Sequence, residues 1–210
     1  LTSLHAGSDA ASVPDRGIVC REVHDGEEVL GLRLNFSKRY ITLAPVATLI
    51  GLAFQLEDPE SLLGSCGAEG ITVALISSQL PGVTVGKRHM PLTLGFMNGP
   101  IEGVDVFIPI DCVIGGQANC GQGWKILMGC LSVGRGISMP ALSSAIAQQC
   151  VRLTGPYAKI RRQFKMPVGE FEGVQSELAK IGGYGYLIES ARYCLTQAVE
   201  DGARPSVAAA

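Results

Sequence analysis

The chain changes its hydrophobic period a little past its midpoint, and this change constrains the fold more than any other feature of the sequence. Before it, apolar and polar residues alternate in short runs, as between Leu30 and Phe36, which is typical of β-strands. From Gly121 onward, apolar residues recur every three or four positions, which is typical of amphipathic helices. We therefore predict an α+β fold with a β-domain over residues 1–119 and part of an α-helical bundle domain over residues 120–210.

Strands are predicted over short segments that are rich in apolar and β-branched residues and are bounded by turn residues. These segments are 17–23, 28–37, 39–43, 48–56, 70–77, 82–87, 93–98 and 103–110. Asp25-Gly26 is a hairpin signal, and Pro81-Gly82 marks a further turn. Regular short strands of this kind favour a small antiparallel barrel or sandwich.

The helical part is predicted to contain several helices separated by glycine and proline, which weaken or end helices. The residues that mark the expected boundaries are Asn119 as the first N-cap, Gly134, Gly136 and Pro140 at a break, Gly155-Pro156 at a second interruption, Pro167 at a stop, and Gly202 after the last helix. A short helix is expected through Tyr157, Ile160 and Phe164. A long amphipathic helix is predicted over 170–202.

Composition and charge exclude several classes of function. Hydrophobic residues make up 47% of the chain and charged residues 17%, so a large core can form and disorder is not expected. The net charge of −2 gives no basic surface for nucleic acid. The most apolar run, 43–56, contains Pro45 and Gly51 and falls short of the roughly 20 apolar residues that cross a bilayer.

Cysteine spacing argues against a metal site and against a disulfide framework. The seven cysteines stand at positions 20, 66, 112, 120, 130, 150 and 194, and no two form a CxxC pair. An odd, scattered set is typical of reduced thiols. We predict that these thiols are buried, in a cytosolic protein without a bound metal.

Two segments of the β part have side chains suited to a phosphorylated aromatic ligand. In "HAGSD" (5–9), Gly7 permits unusual backbone angles, and successive N–H groups with the Ser8 hydroxyl can hold a phosphate oxygen. In "KRYIT" (38–42), a regular strand would place Tyr40 and Thr42 on one face, beside a planar ring. An ordinary loop and a plain amphipathic strand remain the alternatives.

Basic residues in the helical part are candidates for an anion site. Arg161 and Arg162 can neutralise a phosphate, because guanidinium binds such groups through two parallel hydrogen bonds. The alternative is a solvated helix end with cations near its C-terminus. Arg135 is a lone cation in an apolar pattern, which implies either a carboxylate partner or a bound anion.

The order of four segments resembles the acyl-CoA dehydrogenase family over essentially the whole chain. These segments are "LTSLHAGSDAAS" (1–12), "KRYIT" (38–42), "GQGWKILMGCLSVGRGIS" (121–138) and "YAKIRRQFKMPVGEFEGVQSELAKI" (157–181). They are most similar to the large bacterial acyl-CoA dehydrogenases of fatty-acid β-oxidation. The resemblance implies an N-terminal helical domain, a middle β-domain and a C-terminal helical bundle, so this chain is expected to be an internal fragment.

The resemblance also implies roles for individual residues. The residues implied to bind FAD are Leu1, Thr2, Gly7, Ser8, Tyr40, Ile41, Thr42, Arg161, Gln163 and Phe164, and those implied to bind the acyl-CoA substrate are Ser8, Ser132 and Arg135. Thr2 bonds the flavin ring, and the turn at Ser8 holds the pyrophosphate. Tyr40 replaces a tryptophan that lies against the isoalloxazine ring, and Thr42 points at its N5 atom. Arg161 belongs to a group that grips the FAD of a neighbouring subunit.

Three positions depart from the family pattern. His5 stands in place of a usual glycine and Leu4 in place of a usual proline, which affects the path of the loop. Glu172 falls where a glutamine usually contacts the cofactor. A carboxylate near a pyrophosphate is unfavourable unless it is protonated or paired, so Arg161 is the stronger candidate for FAD binding.

The implied activity is α,β-dehydrogenation of a fatty acyl-CoA to a trans-2-enoyl-CoA, the first step of β-oxidation. In the family, a glutamate of the C-terminal bundle removes the Cα proton while the Cβ hydride passes to the flavin. That glutamate is expected to lie beyond Ala210, so no catalytic residue is assigned here. The chain alone is expected to hold FAD poorly and to show no turnover.

The resemblance further implies an electron-transfer acceptor protein, a homo-oligomer and a cytoplasmic location in a bacterium, with peripheral association to the inner membrane left open. Since a fold does not fix a reaction, other activities also remain open. These are an acyl-CoA oxidase, a nitroalkane oxidase or flavin-dependent monooxygenase, and a protein that binds CoA or flavin without catalysis.

Overall fold

The computed structural model of the chain describes residues 1–64 and 69–204. Contacts divide the chain into two compact units, Leu1–Leu127 and Met128–Ala210. The first contains a six-stranded sheet and the second is mainly helical, which confirms the predicted α+β class. The predicted boundary at residues 119–120 stays a prediction.

Six strands build the sheet of the first unit. They are β1 (Arg16–His24), β2 (Glu27–Thr42), β3 (Leu49–Glu57), β4 (Gly70–Ser77), β5 (Val83–Val85) and β6 (Asn98–Pro109), and they lie in the order β4-β3-β1-β2-β6-β5. The predicted segments 28–37 and 39–43 form one strand, β2. This long strand pairs with β1 on one side and with β6 on the other, so it crosses the centre of the unit.

The turn between β1 and β2 has the geometry that its sequence predicts. Asp25 and Gly26 have φ angles of +53° and +89°, and the pairing runs without interruption from His24–Glu27 to Arg16–Asn35. Two successive left-handed residues are typical of the type I′ turn, whose twist matches that of the flanking strands. The predicted hairpin is confirmed.

The expectation of a purely antiparallel sheet is wrong at one pair of strands. β1 pairs with β3 in parallel, from Arg16–Gln55 to Ile18–Glu57. After β2, the chain passes a short 3₁₀ turn at Ala44–Val46 and returns to the free edge of β1. A strand that reverses after β2 runs in the same direction as β1, so the sheet is mixed.

The predicted strand at 93–98 is also wrong. Residues Pro91–Thr93 form a 3₁₀ turn, and Leu92 and Thr93 have φ angles of +49° and +63°. Two successive residues in the left-handed region cannot continue an extended strand. Only Asn98 of this segment belongs to a strand, as the first residue of β6.

The core of the first unit is made by alternate residues of these strands. Its fully buried members include Leu32, Leu34, Phe54, Leu56, Ile76, Ile101, Val106 and Ile108. Gly17 leaves room for this packing, because a Cβ atom there would lie 2.5 Å from the ring of Phe54. The period of two predicted from the sequence therefore corresponds to one buried side of the sheet.

The second unit is built from α1 (Gly123–Val133, which begins in the first unit), a π-helical turn (Gly134–Ser138), α2 (Met139–Ile160) and α3 (Glu172–Glu200). The long helix predicted over 170–202 is confirmed as α3. Gly202 has a φ of +80° and its N–H donates to the carbonyl of Val199 at 3.0 Å, as expected after a helix C-terminus.

Two expected helix boundaries and one expected helical residue are wrong. Asn119 lies in a 3₁₀ turn, and its side-chain amide donates to the Ile114 carbonyl at 3.3 Å, so it does not cap α1. Gly155-Pro156 does not interrupt α2, which continues through both residues to Ile160. Phe164 is not helical.

Residues 162–167 form a two-stranded hairpin in place of the expected short helix. Strand β7 (Arg162–Gln163) pairs with β8 (Met166–Pro167), and the turn residues Phe164 and Lys165 have φ angles of +50° and +66°. Neither turn residue is glycine or asparagine, which are the usual residues of such turns. The sequence therefore carries no standard signal for this hairpin.

The thiols are less buried than predicted. The structure describes Cys20, Cys112, Cys120, Cys130, Cys150 and Cys194, all of them as free cysteines, and Cys66 lies outside the described residues. Only Cys120 is buried, and burial raises the pKa of its thiol. Cys130, Cys150 and Cys194 on the helices are exposed.

One helical stretch, Gly123–Ile160, is long and apolar enough to cross a membrane by length and composition alone, with a mean hydropathy of 1.3 in an 18-residue window. No such segment was expected from the sequence, because no uninterrupted apolar run approaches the roughly 20 residues that cross a bilayer. Core helices of helical bundles pass the same test because they are apolar on most sides, but only 6% of this window is buried in the structure.

A polar cluster joins α2 to α3. The Glu189 carboxylate accepts hydrogen bonds from the Arg192 guanidinium at 2.9 and 2.6 Å and from the Ser144 hydroxyl. Ser144 is fully buried. These hydrogen bonds, that from Arg192 first, lower the pKa of Glu189 from 4.5 to about 2.

Glu189→Gln is expected to lower the stability of the second unit at neutral pH. A depressed carboxylate pKa stabilises the folded state above the unfolded pKa, and this contribution is lost as pH falls towards the folded pKa. The difference between wild type and variant in thermal unfolding should therefore shrink between pH 4.5 and about 2. Glu177→Gln is the control, because its pair with Lys180 is exposed. An equal difference at all pH values would contradict the assignment.

Candidate functional site

A cavity of about 340 Å³ lies at the C-terminal end of β2. It is lined by the first residues of the chain, the end of β2, the turn that follows it and the start of β3. The lining residues are Leu1, Thr2, Tyr40, Ile41, Thr42, Ala44, Ala47, Leu49, Ile50, Gly51 and Ile101. We call this cavity the β2 pocket. It brings together the residues that the sequence analysis assigned to the flavin ring, from two segments of the chain.

The end of β2 is bent where it reaches the pocket. The register with β6 shifts between Lys38 and Ile41, and Tyr40 has a φ of +57°, so the strand contains a β-bulge. Bulges re-aim side chains at the ends of strands. Tyr40 and Thr42 both line the pocket, as predicted, but Ile41 lines it too, where a regular strand would place it on the opposite face.

The ring of Tyr40 is held by two neighbours that the sequence analysis did not identify. The His89 ring lies 4.9 Å away between centroids, and the Arg39 guanidinium lies 5.1 Å from the Tyr40 ring. His89 is itself fixed by buried Asn98, through a side-chain contact of 3.2 Å and a backbone hydrogen bond of 2.9 Å. Asn98 pairs with Thr42 across β6 and β2, so Tyr40, His89 and Thr42 form one connected structure.

A buried ion pair lies beside the pocket. The Lys38 ammonium contacts the Asp15 carboxylate at 2.5 Å, and both side chains are at least 98% buried. The ammonium also donates to the Leu1 carbonyl at 3.2 Å and to the Ser3 hydroxyl at 3.0 Å. Burial lowers the pKa of Lys38, while its hydrogen bond to Asp15 opposes that shift. Charged residues are almost never buried unless they are paired.

Gly7 and Ser8 do not line the β2 pocket. Both are exposed, and a Cβ atom on Gly7 would meet nothing within 4 Å. A second cavity of about 320 Å³ lies nearby and includes Leu4 and His5, the positions that depart from the family pattern, together with Asp15 and Phe36. The role of Ser8 in phosphate binding stays a prediction.

The predicted anion-binding residues of the second unit are exposed. Arg161, Gln163 and Phe164 lie at the β7–β8 hairpin, and Phe164 packs edge-on against Phe171 with ring centroids 6.2 Å apart. Ser132 lies near the end of α1, and its hydroxyl donates to the Gly129 carbonyl at 3.0 Å.

Arg135 lies in the π-helical turn that follows Ser132, and Glu172 is the first residue of α3. The predicted contacts of Arg135 with CoA and of Glu172 with the cofactor stay predictions. Among the residues that the structure describes, no group of three or more His, Cys, Asp and Glu is arranged to hold a metal ion.

Comparison with known proteins adds evidence that the pocket alone does not give. Residues 121–210 match the family described as "Acyl-CoA dehydrogenase, C-terminal domain". The 3-(aryl)acrylate reductase of Clostridium sporogenes is 32% identical over 92% of this chain. The structure of butyryl-CoA dehydrogenase from Megasphaera elsdenii matches 100% of this chain with a TM-score of 0.71 and 25% identity. The chain belongs to the acyl-CoA dehydrogenase family.

This acyl-CoA dehydrogenase family member spans about half the length of those relatives, 48% of the reductase and 50% of the butyryl-CoA dehydrogenase. The structure described as an FAD complex of PigA matches 97% of the chain, and 49% of PigA, with a TM-score of 0.69 and 25% identity. "Protein HemX" of Proteus mirabilis is 50% identical over 103 residues, which are 49% of this chain and 61% of that protein; its name indicates no activity. The family predicted from the sequence is confirmed.

Proposed function

We propose that the protein is an FAD-dependent acyl-CoA dehydrogenase that converts a fatty acyl-CoA to a trans-2-enoyl-CoA. The observation that carries this proposal is the β2 pocket, in which Leu1 and Thr2 meet Tyr40, Ile41 and Thr42. These residues come from two segments that resemblance to the family assigned to the flavin ring. The family membership and the FAD complex of PigA support the same cofactor.

The chemistry of the pocket suits a flat ring system with a polar edge. Its volume of about 340 Å³ lies in the range of small-molecule sites, which combine apolar walls with a few polar groups. Leu49 and Ile50 supply apolar surface, and Thr2 and Thr42 supply hydroxyls that can donate or accept hydrogen bonds. Tyr40 supplies an aromatic face on which such a ring can stack.

The residues of this pocket would orient the isoalloxazine ring and keep water from one part of it. The hydroxyls of Thr2 and Thr42 would hold the polar edge, while Ile41 and Ile50 would exclude water. Bound FAD would supply acceptance of a hydride, which protein side chains cannot provide. The protein's contribution is therefore orientation and a dry environment.

The rest of FAD and the acyl-CoA are assigned to residues outside this pocket. We propose that Gly7 and Ser8 contact the pyrophosphate, and that Ser132 and Arg135 contact the CoA part of the substrate. We propose that Arg161, Gln163 and Phe164 contact FAD of a neighbouring subunit in a homo-oligomer. We propose that the full-length protein delivers the electrons to an acceptor protein, in the cytoplasm or at the inner membrane of a bacterium.

Arg161→Ala is expected to weaken FAD binding about tenfold, because a charge-assisted hydrogen bond from this exposed residue to phosphate contributes about 1.5 kcal/mol, the lower end of the usual range. The measurement is quenching of flavin fluorescence in the protein expressed at the full length of its gene. Arg152→Ala is the control, because Arg152 is an exposed arginine of α2 without an assigned role. Wild-type affinity in Arg161→Ala would remove this residue from the FAD site.

The reaction is tested by mixing the FAD-loaded protein with saturated acyl-CoA thioesters in the absence of oxygen. Loss of the oxidised flavin spectrum and formation of enoyl-CoA would support a dehydrogenase. Air is then admitted to the reduced protein. Rapid formation of hydrogen peroxide would indicate an acyl-CoA oxidase instead, and FAD binding without reduction by any thioester would contradict both activities.

A further inference from the structure

We propose that Lys38 and Asp15 are positioning residues for the β2 pocket: their buried ion pair seats residues 1–3 along β2 and so fixes the wall of the pocket that carries Thr2. This inference rests on the proposed function for the identity of the ligand. It does not rest on it for the seating of the segment, which is a property of the structure.

Asp15 is anchored to the sheet on both sides. Its carboxylate accepts a hydrogen bond of 2.7 Å from the N–H of Ser37 in β2, and its carbonyl accepts one of 2.8 Å from the N–H of Gln55 in β3. A carboxylate held in this way has little freedom to move. It therefore provides a fixed negative charge at which Lys38 is placed.

Lys38 connects that fixed charge to the first residues of the chain. Its ammonium donates to Asp15, to the Leu1 carbonyl and to the Ser3 hydroxyl, which uses the three donors that an ammonium has. The Ser3 hydroxyl in turn donates to Asp15. Leu1 and Ser3 are thus both held, on either side of Thr2.

The backbone shows the result of this arrangement. Ser3 forms a bridge with Lys38, and the N–H of Arg39 donates to the Thr2 carbonyl at 3.0 Å. Thr2 itself lines the pocket together with Tyr40. The hydrogen bond from Arg39 exists only while the segment is seated, so the exchange rate of the Arg39 amide hydrogen reports on seating directly.

A buried ion pair is not needed for stability alone. Replacing both members by neutral groups is often neutral or stabilising, whereas removing one leaves an uncompensated buried charge. A neutral isosteric double variant can therefore remove the link to Leu1 and Ser3 while the sheet remains folded. In Lys38→Met/Asp15→Asn, the asparagine carbonyl can still accept the hydrogen bond from Ser37.

The experiment uses the protein at the full length of its gene and compares wild type with Lys38→Met/Asp15→Asn. We expect the Arg39 amide to lose protection by about tenfold or more, because local opening is no longer opposed by the link. We also expect the Kd for FAD to rise by about tenfold. The amide of Val104, which donates to Gly82 on another part of the sheet, should keep its protection.

The matched control is Arg33→Met/Glu22→Gln. This pair joins β1 to β2 with a hydrogen bond of 2.8 Å, but Arg33 bonds Glu22 and Asp105 and not residues 1–3. It should leave the Arg39 amide and the Kd for FAD unchanged. If it changed both as much as the Lys38 variant does, a general effect on the sheet would replace the proposal.

Further outcomes separate the two proposals. Unchanged Arg39 protection, or an unchanged Kd for FAD despite lost Arg39 protection, would overturn the positioning role. Wild-type protein that does not bind FAD would overturn the proposed cofactor, while the Arg39 amide would still decide the seating. If the double variant does not fold, Ser3→Ala leaves the ion pair intact, and it should still raise Arg39 exchange and the Kd about threefold.

Discussion

Phe54→Ala is expected to lower the free energy of unfolding by about 3–5 kcal/mol, the usual loss for an aromatic side chain removed from a core. Phe54 has 0% exposure, and its ring lies against Gly17. Gly17 has no side chain that could move into the cavity left by the ring. The cavity would therefore collapse only partly. Urea unfolding followed by circular dichroism and by fluorescence of the single tryptophan measures the loss.

Phe96→Ala is the control for this prediction. Phe96 is 50% exposed, and exposed substitutions usually change stability by less than about 0.5 kcal/mol. A loss below about 1 kcal/mol for Phe54→Ala would mean that the sheet repacks around the gap. It would also show that the first unit is less tightly packed than its buried residues indicate.

Tyr40→Ala is expected to raise the Kd for FAD by about 10–100-fold. The substitution removes the aromatic face of the β2 pocket, and a loss of this size corresponds to roughly 1.4–2.8 kcal/mol. Flavin fluorescence, titrated at constant salt in the protein expressed at the full length of its gene, gives the Kd. Tyr40→Trp should bind FAD at least as tightly as wild type, because it enlarges the stacking surface.

Tyr193→Ala is the matched control, because Tyr193 is about as exposed as Tyr40, at 63% against 55%, and lies on α3. It should leave the Kd unchanged. An equal Kd for wild type and Tyr40→Ala would mean that no ring stacks on this residue. The β2 pocket would then need a different ligand.

The sequence correctly predicted those secondary-structure elements that are determined by residues close together in the chain. The hairpin at Asp25-Gly26 follows from two residues that tolerate the left-handed region. Strand β4 was predicted with the bounds that it has, because its apolar run is bounded by turn residues. The long helix α3 followed from its period and from Gly202.

Features that depend on distant partners could not be predicted in the same way. Lys38 was given no role from the sequence, because nothing near it in sequence indicates that Asp15 is its buried partner. The tilted contact of His89 with the Tyr40 ring depends on the pairing of Asn98 with Thr42. The bulge at Tyr40 could not be predicted, because the segment 38–42 contains no glycine, which is the usual sequence signal for a bulge in a strand.

The resemblance to a family supplied what local patterns lacked. It grouped Thr2 with Thr42 although a strand, a hairpin and much of β2 separate them, and the structure places both on one cavity. It could not supply the Lys38 pair, since only the burial of these side chains marks them as unusual. Family patterns identify residues that touch a ligand more readily than those that support them.

Strand β2 has two structural roles, one in each part of its length. Up to Phe36 its inward side chains fill the core, and from Tyr40 on its residues face the cavity, with Lys38 at the border between the two. Libraries randomised at positions 40 and 42 could therefore be screened for altered ligand preference, with Ile41 kept because it also packs against the core. The same strand offers protein engineers a natural boundary between a fixed scaffold and an adjustable recognition surface.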